Sequence, residues 1–154
     1  MGWRCQYWPW VWLLWLLTFP SWSADKPRII ALSPHITELL YAAGAGDQLV
    51  GVAAYSDYPA EAQRLPQVAG NVGPDYERIL SLQPDWVVVW PSGNGWQVSK
   101  RLRQLGFQVA ASDPRTLKAI ADDIERLGVL AGTVATARRT ANRLREQWRR
   151  LRDN

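Results

Sequence analysis

The sequence predicts an α/β fold: a three-layer, Rossmann-like lobe with a four-stranded parallel sheet, ending in a long helix. Three observations lead there. Short β-branched or apolar runs alternate with longer segments whose apolar residues recur at helical spacing, the pattern of strand–helix–strand crossovers. The run Asp85-Trp86-Val87-Val88-Val89-Trp90 shows no polar alternation, as in a strand covered on both faces. Beyond residue 132 the strand signals cease, and one amphipathic, arginine-rich segment carries the chain onward.

Residues 1–23 stand apart. Arg4 gives a positive start, the stretch from Trp8 to Phe19 is almost wholly apolar, and Ser21-Trp22-Ser23 offers small residues where a signal peptidase reads. The apolar run is about half of the roughly 20 residues that a membrane-spanning helix needs. A cleaved secretory signal peptide is therefore expected, with an uncleaved anchor as the alternative. Cleavage leaves no stable membrane insertion and exports the mature chain. Six of the ten Trp lie in this leader, so the tryptophan count says little about the body. The single cysteine, Cys5, also leaves with the leader, which removes disulfides and thiol chemistry.

Residues 24–132 form the predicted lobe. Residues 28–32 make the first strand, and Ser33-Pro34 stops it, because proline cannot donate to a ladder. Ile36, Leu39, Leu40 and Ala43 recur at helical spacing, and Gly44 and Gly46 close that helix. Residues 49–53 are the second strand. Residues 60–64 are a short polar helix, and Pro66, Gly70 and Gly73 set a loop over residues 65–73. Pro74 suits the first position of the next helix, with Asp75 and Glu77 at its positive end. Residues 85–90 are the third strand and 91–95 a loop. Val98, Leu102 and Leu105 mark a helix, and residues 107–111 the fourth strand. Asp113-Pro114 turns the chain into an amphipathic helix carrying Leu117, Ile120, Ile124, Leu127 and Leu130. Thr133 is a candidate cap for the last helix, residues 133–154. Ala137, Ala141, Leu144, Trp148 and Leu151 line one side of it, and arginines cover the rest. At about 20 residues it would reach about 30 Å, the width of a small domain.

The formal net charge is +4, but residues 138–154 hold seven Arg against Glu146 and Asp153, which leaves the body mildly acidic. That argues against a nucleic-acid binder. The arginines read as a solvated helix face, with anionic lipid as an alternative. One histidine and no mature cysteine fall short of the three or four ligands of a metal site. Ser33, Ser56 and Ser92 lack the G-x-S-x-G setting of a nucleophile, so no catalytic residue and no enzyme are expected.

In parallel sheets ligands sit beyond the carboxyl ends of the strands. Those ends carry Ser33-Pro34-His35, residues 54–59 and residues 91–95. Tyr55 and Trp90 offer broad apolar faces with a polar edge, suited to a flat ligand or to packing at the sheet edge. His35 is open to a ligand hydrogen bond or to capping its own helix. None of the loops at 33–35, 54–58 and 91–95 contains Arg or Lys, which favours a largely uncharged ligand.

RIIALSPHITELLYAAGAGDQLVGVAAYSDYPAEAQRLPQVAG, followed by YERILSLQPDWVVVW, resembles the helical-backbone periplasmic binding proteins of ABC importers. Within that family it is most similar to the cobalamin (vitamin B12) binders. The signals SPHxTELLxAxGxxxxLVGV, YSDYP and ERILxLxPDxV are specific in combination. The resemblance implies two α/β lobes joined by one long helix, of which this sequence supplies the first lobe and the helix; the second lobe is absent from it. It implies that Tyr55 and Trp90 contact ligand, with Pro34 and His35 at the pocket floor, and that Glu77 docks onto arginines of the permease dimer. Some cobalamin binders offer a further tryptophan before the Glu77 helix, where this sequence has Asn71 or Val72. The implied function is capture of cobalamin as a transported ligand, with no resident cofactor. The alternatives are a ferric siderophore or haem as ligand or, in another class, a one-lobe protein-interaction module.

Overall fold

A computed structural model describes residues 25–153, and the predicted signal peptide lies outside them. The chain runs β1 (Ile29–Ala31), α1 (Pro34–Ala42), β2 (Leu49–Ala53), β3 (Gln67–Gly70), β4 (Gly73–Pro74), α2 (Tyr76–Ser81) and β5 (Trp86–Val89). It continues through α3 (Pro91–Asn94), α4 (Trp96–Gln104), β6 (Gln108–Ala111), α5 (Leu117–Leu130) and α6 (Val134–Arg152). One sheet has the order β4-β3-β2-β1-β5-β6. All neighbours pair in parallel except the β3–β4 hairpin.

Alternate strand residues feed two cores. Ile29, Ala31 and Val88 face α1 and α5, where Ile36, Leu40, Ile124 and Leu127 are buried. Ile30, Leu32, Val87 and Val89 face the opposite layer, against Ile79 of α2 and Leu102 of α4. The period-2 direction of strand side chains thus makes a three-layer sandwich from strands that read as uniformly apolar.

Several expectations need correction. The sheet has six strands, not four. Residues 65–73 are not a loop: Val68 is buried, and the Val52 and Ala54 amides bond the Pro66 and Ala69 carbonyls, which adds β3 beside β2. Gly70 and Gly73 are the paired ends of a tight hairpin around Asn71-Val72. Pro74 sits in β4 rather than opening a helix; the cap of α2 is Asp75, whose carboxylate accepts from the Arg78 amide. Thr133 does not cap α6 with its side chain. Its hydroxyl donates instead to the Ala43 carbonyl at 2.7 Å, tying the start of α6 to the end of α1.

The last helix lies along α5. Ala137 and Ala141 are buried, and Arg145 grips α5 by donating to Asp122 and Glu125 at 2.7 and 2.8 Å. Leu151, placed by sequence on the apolar stripe, is exposed. Among the described residues, no helix is long and apolar enough to cross a membrane.

Candidate functional site

The chain adds β2 and β3 on one side of β1, then returns to add β5 and β6 on the other. The order therefore reverses between β1 and β5, and open α/β sheets bind ligands in the crevice beyond such a reversal. A cleft of about 280 Å³ lies there, bounded by the ends of β1, β2, β3 and β5. Ser33, Pro34, Tyr55, Asn71, Trp90 and Asn94 are among its walls, and no residue lining it carries a charge.

Each wall residue has a local reason for its place. Pro34 opens α1 directly after β1, where a missing N–H costs nothing. Tyr55 follows β2 with a φ of 64°, a left-handed backbone that a bulky side chain rarely adopts. The next residue, Ser56, is buried and shares a 3.1 Å hydroxyl hydrogen bond with Thr37 of α1, which fixes the loop. The Tyr55 ring is 67% exposed, and its hydroxyl lies 3.5 Å from Asn71 Nδ2 of the hairpin.

Trp90 follows β5 and is held at several points. Its backbone N–H donates to Asn94 Oδ1 at 2.7 Å, and Asn94 Nδ2 donates to the Leu32 carbonyl at 3.1 Å. Its indole Nε1 donates to Asp113 Oδ1 at 3.1 Å. The ring lies over Gly93, where an added Cβ would fall 1.9 Å from Trp90 Cε3. The indole and the His35 ring meet in a T-shaped contact, with centroids 5.2 Å apart.

The structure brings Pro34, Tyr55 and Trp90 to one cleft. His35 lines a second cleft of about 540 Å³ instead, with Trp90 as the wall between the two. This neighbour also contains Glu38, Ser92, Asp113 and Arg115. His35 Nδ1 lies 2.9 Å from the Ser33 hydroxyl. Burial lowers the His35 pKa below its ordinary value, against the opposing pull of Asp123, Asp113 and Glu38. Glu77 lines neither cleft; it is exposed in the first turn of α2. Among the described residues, no group of three His, Cys, Asp or Glu side chains is placed to hold a metal ion.

Sequence reasoning placed Gly93 and Asn94 only within the loop at 91–95, named Asn71 only as a position without tryptophan, and missed Asp113. Asn94 had a signal, since it stands in the turn-forming run Pro91-Ser92-Gly93-Asn94-Gly95 after a strand, where Asn side chains bond nearby backbone; the expected loop is the helical turn α3 over residues 91–94. Asp113 had none, because 23 residues separate it from its indole partner.

Residues 29–154 match the family described as periplasmic binding protein. The chain belongs to that family. Family members similar to it include the Vitamin B12-binding protein of Vibrio cholerae, 44% identical over 125 residues, covering 81% of this chain and 45% of that one. The Vitamin B12-binding protein of Yersinia pestis is 43% identical over 141 residues, covering 92% and 50%. The crystal structure of the periplasmic vitamin B12 binding protein of Vibrio cholerae aligns with a TM-score of 0.78 at 43% identity, over 83% of this chain and 50% of that one. A periplasmic heme binding protein from Pseudomonas aeruginosa aligns with a TM-score of 0.74 at 26% identity, over 83% and 46%. The chain spans about half the length of the curated relatives it matches.

Proposed function

We propose that this chain supplies the cobalamin-binding lobe of a substrate-binding protein, which captures vitamin B12 in the periplasm and hands it to the permease of an ABC importer. The observation that carries this reading is the uncharged cleft walled by Tyr55 and Trp90 at the sheet's reversal point, in a chain 44% identical to a vitamin B12-binding protein. Cobalamin presents a broad, flat macrocycle. Two rigid aromatic faces and a few uncharged polar groups suit it, because stacking on rings costs little side-chain entropy. Pro34, Tyr55 and Trp90 contact the ligand, and His35 supports Trp90 from the neighbouring cleft. Cobalamin is cargo, so the protein needs no cofactor of its own and makes or breaks no bond. Residues 1–23 act as the signal peptide. Glu77, exposed on α2, meets basic groups of the permease, where opposite charge speeds encounter and fixes orientation.

Equilibrium dialysis of the chain against cobalamin, haem and a ferric siderophore tests the reading. The expected result is saturable cobalamin binding that weakens at least about tenfold on Trp90→Ala, the scale of one well-packed aromatic contact. Haem binding without cobalamin binding would replace the ligand with haem, the reading favoured by the heme binding neighbour from Pseudomonas aeruginosa. In a transport assay with the permease, Glu77→Lys should lower uptake while leaving cobalamin affinity unchanged.

A further inference from the structure

We infer that Asp113 is a positioning residue that fixes the plane of the Trp90 indole, so that the ring stands as a rigid partition between the two clefts. The inference deepens the ligand-binding reading above and rests on it for the affinity arm of its test.

The geometry is that of a clamp. Trp90 has one polar atom on its ring, and that atom donates to Asp113 Oδ1 at 3.1 Å. The other carboxylate oxygen, Oδ2, accepts from the Ser92 hydroxyl and from Arg115 Nη2. Arg115 Nη2 also donates to the Ser92 hydroxyl at 2.7 Å. Both oxygens are therefore engaged, which directs the carboxylate toward the indole. The same hydrogen bonds, Ser92 foremost, lower the Asp113 pKa and keep the group an acceptor. At the backbone end Asn94 holds the Trp90 N–H, and Gly93 leaves the ring room to lie down. Both clefts count Trp90 among their walls, so a turn of this one side chain would change both. Holding the ring in its binding orientation removes the entropy of ordering it when ligand arrives.

The test uses the full chain labelled with ¹⁵N, with the Trp90 indole resonance assigned from Trp90→Phe. Asp113→Ala should shift that indole proton upfield and speed its exchange with solvent. It should weaken cobalamin binding about fivefold, the net scale of one intramolecular hydrogen bond. Asp113→Asn keeps an acceptor and should restore most of both effects. In a Trp90→Phe background, which has no indole donor, Asp113→Ala should change affinity less than about twofold. A merely structural role would lower affinity equally in both backgrounds, and that result overturns the inference. So does an indole resonance that Asp113→Ala leaves in place. If the unsubstituted chain binds no cobalamin, the functional reading fails, and the indole arm alone decides the clamp.

Discussion

At the residue scale, the side chains around Trp90 differ in what each controls. Gly93 controls space. Its replacement by alanine puts a methyl group where the indole lies, so Gly93→Ala should swing the ring away and lower cobalamin affinity about tenfold. Dialysis beside a urea melt checks this, because a general loss of folding would move both measurements. Tyr55 stores strain. A left-handed non-glycine residue costs on the order of 1–3 kcal/mol and persists where the surroundings demand it. Tyr55→Gly should therefore leave the urea midpoint unchanged or raised while weakening cobalamin binding; a large fall in stability would show that the ring packs rather than binds. His35 responds to pH. Burial favours its neutral form in the fold, so its folded pKa lies below the ordinary 6.5. Its contribution is complete above pH 6.5 and is lost as pH falls from there through the lowered folded value, since the unfolded chain takes up the proton first. The stability difference between the native chain and His35→Gln, measured at pH 7.5 and 5.5, should shrink at the lower pH. Of these residues, the sequence marks Pro34, His35, Tyr55 and Trp90 because each follows a readable strand end. It hides Asp113 and the contact between Gly93 and the indole, which exist only once distant loops meet.

At the element scale, strong signals were legible and weak ones were not. Strands β1, β2 and β5 each carry an apolar run that needs burial, and the run at 107–111 marks the edge strand β6, so the sequence shows all four. Strand β3 buries one large side chain, Val68, and its proline and glycine neighbours look like loop punctuation. Only the unpaired edge of β2 makes it a strand, and an edge is a property of the sheet, not of the segment. The last helix reads as an amphipathic helix, and its packing explains why small residues face the lobe. Gly128 of α5 approaches Ala137 of α6 so closely that an added Cβ would lie 2.2 Å from the Ala137 Cβ. Gly128→Ala improves local helix propensity by about 1 kcal/mol but overpacks this crossing by about 1–3 kcal/mol. The balance should be a net loss of stability. A urea midpoint that rises instead would mean that the two helices separate without cost.

At the scale of the whole molecule, scaffold and site occupy different parts of one sheet. Most residues with no exposure lie along the strands and the inner faces of α1, α2, α4, α5 and α6, whereas the cleft is built from residues at and just past the strand ends. The relative order of the strands, not any one loop, opens the crevice, so loops can vary while the crevice stays. This separation makes a paired prediction. Ile30 is fully buried between β1 and the α2/α4 layer, and Ile30→Ala should cost about 2–5 kcal/mol by lost transfer energy and cavity formation. Below its own unfolding transition that variant should keep cobalamin affinity within about twofold of the native chain, because Ser33 and Pro34 still follow β1. Trp90→Ala should part from it in the affinity assay. The residue is 36% exposed at the rim of the sheet, so its removal should cost about 2–4 kcal/mol of stability from lost apolar burial, and affinity should also fall at least about tenfold. Urea melts and dialysis on both variants give four numbers. A loss of affinity in Ile30→Ala as large as that in Trp90→Ala would mean that core and cleft are coupled, and that this sheet is part of the binding surface rather than its support.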